Sequence, residues 1–189
     1  MDLHCHLGQK IVFKTVHVLT VLVLFGFSVP AQAASDHFLK IVGIPGESTD
    51  AGHKDEIEIQ EWNWVEKIEQ VAGGSVAKAS PEPFRLTARV SKASPRLMQA
   101  CASGEHFKQA ILISRKAGQD RTEFLKVTLS AVVISSYSIE TTPTDKNPIL
   151  DRIAITFEKI EFEYRESKTD GTLGPVIKGE WQVGEGNRR

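Results

Sequence analysis

The chain has 189 residues, with 23 Lys and Arg against 24 Asp and Glu, a formal charge of −1, and 41% hydrophobic residues. A charge this close to zero supplies no field to gather nucleic acid or anionic lipid, and 14 glycines and 8 prolines exclude collagen-like and low-complexity chains. Two cysteines exclude a disulfide framework, so a hydrophobic core must hold a fold whose length suits one domain.

The first 33 residues read as a leader. Lys10 and Lys14 stand against Asp2 alone, residues 18–29 are apolar apart from Thr20 and Ser28, and Pro30 precedes Ala31-Gln32-Ala33-Ala34. That order is the plan of a secretory signal peptide cut between Ala33 and Ala34. The apolar run of about a dozen residues falls short of the ~18–20 that span a bilayer. His4-Cys5-His6 lies in the leader, where adjacent side chains diverge, and reads as no metal site. Removing the leader leaves a domain over 34–189, secreted or periplasmic, with no membrane contact and with Cys101 as its one cysteine.

Phe38–Val42 reads as a short apolar strand, closed by the turn Gly43-Ile44-Pro45-Gly46. A polar loop from Glu47 to Asp55 follows. Ile57 and Ile59 then alternate with Glu58 and Gln60, while Trp62 and Trp64 continue on the opposite parity, which predicts a bulge near Gln60-Glu61. Gly73-Gly74-Ser75 is a connection, and Phe84, Leu86, Ala88 and Val90 alternate as a half-buried strand.

One helix is signalled, with Ser94 as cap, Pro95 at its first position and Gly104 at its left-handed end. Leu97, Met98 and Cys101 form its expected apolar stripe. Strands follow over Ala110–Arg115 and Thr122–Tyr137, the second long enough to bend, joined by the turn Lys116–Asp120. After the loop Thr141–Pro148, Ile153, Ile155 and Phe157 alternate. Ile160, Phe162 and Tyr164 do so on the other parity, predicting a second bulge near Glu158-Lys159. Asp170-Gly171 turns into a last strand holding Val176, Ile177, Trp181 and Val183. About eight strands and one helix point to a sandwich or barrel.

Chemistry is sparse. No glycine-rich phosphate loop precedes a helix, and no Cys/His spacing suits zinc. His37, His53 and His106 are scattered, and the acids of Asp55-Glu56-Glu58 and Glu158-Glu161-Glu163 alternate with apolar residues as solvated strand faces do. No catalytic residue, metal site or cofactor is expected, and no nucleic-acid partner.

The residues themselves point to a family. Phe38-Leu39-Lys40-Ile41, Gly43-Ile44-Pro45-Gly46-Glu47-Ser48-Thr49-Asp50, His53-Lys54-Asp55-Glu56-Ile57 and Trp62-Asn63-Trp64 resemble the opening of the Hcp family, the haemolysin-coregulated tube proteins of type VI secretion systems. The resemblance continues through Lys92–Met98, Ala100–Gly104, Arg115–Gly118, Phe124–Val127, Ser135–Tyr137, Lys159–Tyr164 and Asp170-Gly171.

It implies a mainly β protein, a barrel of two antiparallel sheets with one flanking α-helix. It further implies a homohexameric ring, stacked rings forming a hollow tube with cargo in its lumen, and a spike protein, contractile sheath and effector cargo as partners. Strand edges offered to neighbours would suit such a closed ring. A tube subunit needs surfaces rather than an active site. The leader departs from the family, whose members are normally made without a cleaved one; cytoplasmic assembly followed by type VI secretion is the alternative location for this chain. An exported Hcp-like binding or adhesion module that forms no tube is the alternative.

The candidate ring or stacking element is the polar loop carrying Glu47, Ser48, Thr49, Asp50, His53, Lys54 and Asp55, longer than a minimal hairpin requires. Reversing Lys54 and Asp55 together touches no expected core position and should weaken stacking while sparing the fold.

Overall fold

The computed structural model describes residues 35–67, 80–117, 121–141, 148–168 and 171–183. The expected leader with its expected cleavage between Ala33 and Ala34, Gly73-Gly74-Ser75 and Asp170 lie outside the described residues. The strands are β1 (Ser35–Ile41), β2 (Ile57–Asn63), β3 (Glu66–Lys67), β4 (Ser80–Pro81), β5 (Phe84–Arg89), β6 (His106–Lys116), β7 (Glu123–Thr141), β8 (Ile149–Thr156), β9 (Lys159–Ser167) and β10 (Leu173–Gln182). The helix α1 (Ser94–Ser103) sits between β5 and β6.

The main sheet runs β10-β9-β7-β6-β1-β2-β5-β8, and β8 pairs back onto β7, so six strands close into a barrel from which β9 and β10 extend. A mainly β barrel with one helix is therefore what the chain forms. Its strands belong to one continuous sheet closed on itself, and the second sheet is only the ribbon of β3 and β4.

Closing a narrow barrel requires strands to bend, and the irregularities fall where bending is needed. The bulge expected at Gln60-Glu61 is present, where β2 slips against β5 between Ile59 and Glu61. At Glu158-Lys159 the expected bulge is instead a break between strands. Thr156 of β8 faces Val133 and Lys159 of β9 faces Ser130, so the two strands lie end to end along β7. Opposite the break, Ala131 takes φ 52, and β7 turns from pairing β9 to pairing β8.

Leu39, Ile57, Phe84, Leu86, Leu112 and Ile153 meet inside the barrel, each almost wholly enclosed. Each such side chain contributes about 1.5–3 kcal/mol of burial. Trp62 stacks on Phe84, with ring centroids 5.5 Å apart and planes 8° from parallel. Val42 ends in the turn after β1, exposed, and the strand instead reaches back to Ser35.

The helix packs on β7. Gly104 ends it at φ 63, as expected. Its start differs from expectation: Ala93 is the cap, without a side-chain bond, and Ser94 is the first helical residue. The Ser94 hydroxyl is drawn inward, donating to Asp151 Oδ2 at 2.5 Å and accepting from the Ser91 N–H at 2.9 Å. Asp151 is 1% exposed, and its Oδ1 accepts from the Tyr137 hydroxyl at 2.8 Å. A buried carboxylate needs such donors more than a helix end does. The buried stripe is Ala93, Leu97 and Ala100. The expected stripe is thereby corrected: Met98 is half exposed, about 100° round the helix from Leu97, and Cys101 is only partly buried at the margin.

Candidate functional site: a braced loop over the first strand

Side chains alternate along β1, so Leu39 and Ile41 enter the core while Asp36 and Phe38 face outward. Phe38 is nevertheless only 4% exposed, because the segment 47–55 folds back over it. The His53 ring lies on the Phe38 ring with centroids 4.2 Å apart and planes 8° from parallel. The Arg115 guanidinium carbon stands 4.7 Å from the same ring's centroid. Phe38 and its two covers form a small second core outside the barrel wall.

The loop is held along its whole length. Its two legs close where the Gly46 N–H donates to Asp55 O at 2.8 Å and the Ser48 N–H donates to Glu56 O at 3.1 Å. Only glycine fits position 46, since a Cβ there would lie 2.2 Å from the Glu56 carbonyl oxygen. Across the loop, Asp55 N–H donates to Ser48 O at 2.9 Å, and Gly52 N–H donates to Asp50 Oδ1 at 2.9 Å.

Long-range ties fasten this frame to the barrel. Arg115 of β6, opposite Asp36 of β1 in register, donates from Nη2 to Asp50 Oδ2 at 2.8 Å. Its Nε and Nη2 also reach Asp36 Oδ2 at 3.2 Å. Arg121 adds a second cation to Asp50 Oδ2 at 3.1 Å. The Arg115 hydrogen bond, helped by the Gly52 amide and both arginine charges, holds the Asp50 carboxyl at about 2 although burial pushes it upward. The His53 nitrogens face Glu56 Oε2 at 2.9 Å and Glu123 Oε1 at 3.3 Å. At the other leg, Lys92 donates its backbone N–H to Glu47 Oε1 and its Nζ to Asp55 Oδ1, both at 2.8 Å.

The seven loop residues singled out from the sequence thus divide. Ser48, Asp50 and His53 tie the loop down, Glu47 and Asp55 hold Lys92, and Thr49 and Lys54 project outward beside exposed Ala51 and Gly52. The paired reversal of Lys54 and Asp55 is therefore not a neutral probe. Asp55 takes φ 58 and carries the Lys92 bond, so only Lys54 can be reversed cleanly. Sequence reasoning missed Asp36, Lys92, Arg115 and Glu123, which carry no local signal because their partners lie far along the chain. A cleft of about 850 Å³ opens beside the loop, walled by Asp36, Glu58, Arg89 and Arg115. Among the described residues no group of three His, Cys, Asp or Glu could hold a metal, and no helix is long and apolar enough to cross a membrane.

A closed antiparallel barrel with a flanking helix, a two-stranded extension and a fastened loop standing off its wall is the class of fold the chain forms. The family described as type VI secretion system effector, Hcp, matches residues 38–164, which take in the loop and Arg115. The chain is 33% identical over 157 residues to Protein hcp1 of Pseudomonas aeruginosa strain PAO1, covering 79% of this chain and 96% of that protein. Hcp1 from Salmonella typhimurium, a crystal structure, aligns with a TM-score of 0.65 at 33% identity over 79% of this chain and 95% of its own. A type VI secretion system effector from Yersinia pestis aligns with a TM-score of 0.63 at 31% identity, over 78% and 100% respectively. The chain belongs to the Hcp family of type VI secretion proteins.

Proposed function

We propose that this chain is the structural subunit of a hexameric ring, and that rings stack into a tube carrying cargo in its lumen. The spike protein, contractile sheath and effector cargo are its proposed partners. The observation that carries the stacking part is the loop 47–55, an outward ridge whose inner residues are all fastened and whose Thr49, Ala51, Gly52 and Lys54 are free to meet another copy. The edge of β10 is a poorer meeting place, since Pro175, a register shift between Leu173 and Val176, and the charged Lys178 and Glu180 all discourage strand pairing. Side-chain surfaces therefore do the joining.

An exposed charged contact is worth only about 0.5–1 kcal/mol, but six acting together sum toward several. Negative-stain microscopy of residues 34–189 at rising concentration tests this: rings that stack are expected, with Lys54→Glu sparing rings and reducing stacks at low salt. Equal stacking by that variant would show that the ridge is not the contact.

The leader favours a second reading, in which the barrel is exported and cut between Ala33 and Ala34 to work outside the cytoplasm as a binding module. Intact mass of the soluble protein from a Gram-negative host tests the export: a chain beginning at Ala34 supports it, and retained residues 1–33 refute it.

A further inference from the structure

We propose that Arg115 is the positioning residue of the docking loop, presetting the shape in which 47–55 meets a second copy of this chain; this rests on the stacking reading above. Arg115 reaches the loop from the barrel wall, 65 residues away in sequence, and only 9% of its side chain is exposed. Its guanidinium serves three groups together: Asp50 at 2.8 Å, Asp36 at 3.2 Å and the Phe38 ring at 4.7 Å. From Asp50 the tie passes outward, because the other carboxylate oxygen accepts the Gly52 N–H at 2.9 Å. A continuous line of bonds therefore runs from β6 through Arg115 and Asp50 to exposed Gly52 at the tip.

Such a line matters for docking more than for folding. The Phe38 and Arg115 side chains lie on the outer face of the barrel wall, apart from the cluster that fills it. A nine-residue loop without the tie would have to be ordered again at each contact, and that ordering opposes binding. A planar fork can hold two carboxylates and lie on a ring at once. A lysine ammonium is a single point charge and cannot replace it. With six loops per interface the loss multiplies, so a modest loosening of each loop becomes a large loss of stacking.

The test compares the parent with Arg115→Lys, Arg115→Gln and Asp50→Asn, the last removing the ionic tie without touching any core position. Native mass spectrometry reads ring assembly, hydrogen exchange reads the amides of residues 49–55, and light scattering reads the concentration at which rings stack. Expected are intact rings in all variants, exchange at 49–55 at least tenfold faster, and a stacking concentration at least tenfold higher, with Arg115→Lys no better than Arg115→Gln. Ile153→Val serves as control: it lowers the melting temperature and leaves both loop exchange and stacking unchanged. Parent-like stacking with a loosened loop, unchanged loop exchange, or full rescue by lysine would each overturn the role of Arg115 alone. A parent that forms rings but never stacks would overturn the stacking reading and this role with it.

Discussion

Tyr137→Phe probes the hydrogen-bonded carboxylate of Asp151, which is buried in the fold. The substitution keeps the ring, so it leaves no cavity, and it deletes only the hydroxyl that donates to Asp151 Oδ1 at 2.8 Å. Asp151 is 1% exposed and retains the Ser94 hydroxyl on its other oxygen at 2.5 Å. A hydrogen bond to a charged group is worth about 1.5–3 kcal/mol, and half-buried Tyr137 places this one in the lower part of that range. At about 2–4 °C per kcal/mol for a domain of this size, melting should fall by about 3–8 °C. Burial, and next the Asp151 bond, push the Tyr137 hydroxyl up to about 12, so it stays a donor at every working pH. Urea unfolding of the parent, Tyr137→Phe, Ser94→Ala and the double variant gives the assay. Because both hydroxyls serve one carboxylate, the double loss should differ from the sum of the single losses by at least about 0.5 kcal/mol. Additive losses, or a Tyr137→Phe loss under about 0.5 kcal/mol, would refute the shared role of Asp151.

Leu97→Ala, at a position with no exposure, should cost about 2–5 kcal/mol in urea unfolding. Met98→Ala next to it, half exposed, should stay within about 0.5 kcal/mol of the parent. Gly46→Ala drives a Cβ to 2.2 Å from the Glu56 carbonyl, so the loop legs must separate and amides of 46–56 should exchange faster while barrel amides keep their protection. Burial holds the His37 imidazole below its ordinary value against the opposing pull of Asp36. The unfolded chain therefore binds the proton more readily, and the stability His37 contributes is full above the unfolded value near 6.5 and lost as pH falls below it. Melting should drop between pH 7 and pH 5, and part of that drop should vanish in His37→Gln.

Periodicity carried the barrel. The change of parity between Ile59 and Trp62 located a true bulge, because a register slip must appear in the order of apolar residues. The same signal at Glu158-Lys159 could not distinguish a bulge from a break, since that depends on Ala131 in another strand. The helix ends were legible at Gly104, whose left-handed geometry is local, and misread at Ser94, whose hydroxyl answers to Asp151, 57 residues away. Met98 was misassigned because a stripe shows which residues align, and packing on β7 decides which of them is covered. The loop was found from its length and polarity alone. Its ties to the barrel were invisible, since Arg115, Lys92 and Glu123 come from distant segments, and Phe38 in an apolar run gives no sign that it faces outward.

Cryo-electron microscopy of residues 34–189 at a concentration where assemblies form tests the central claim most directly. The expected image is a six-fold ring stacked on another, with the loop 47–55 of each copy, Lys54 and Gly52 at its tip, pressed against the neighbouring ring. Monomers at every concentration, or stacked rings whose loops face solvent, would contradict it.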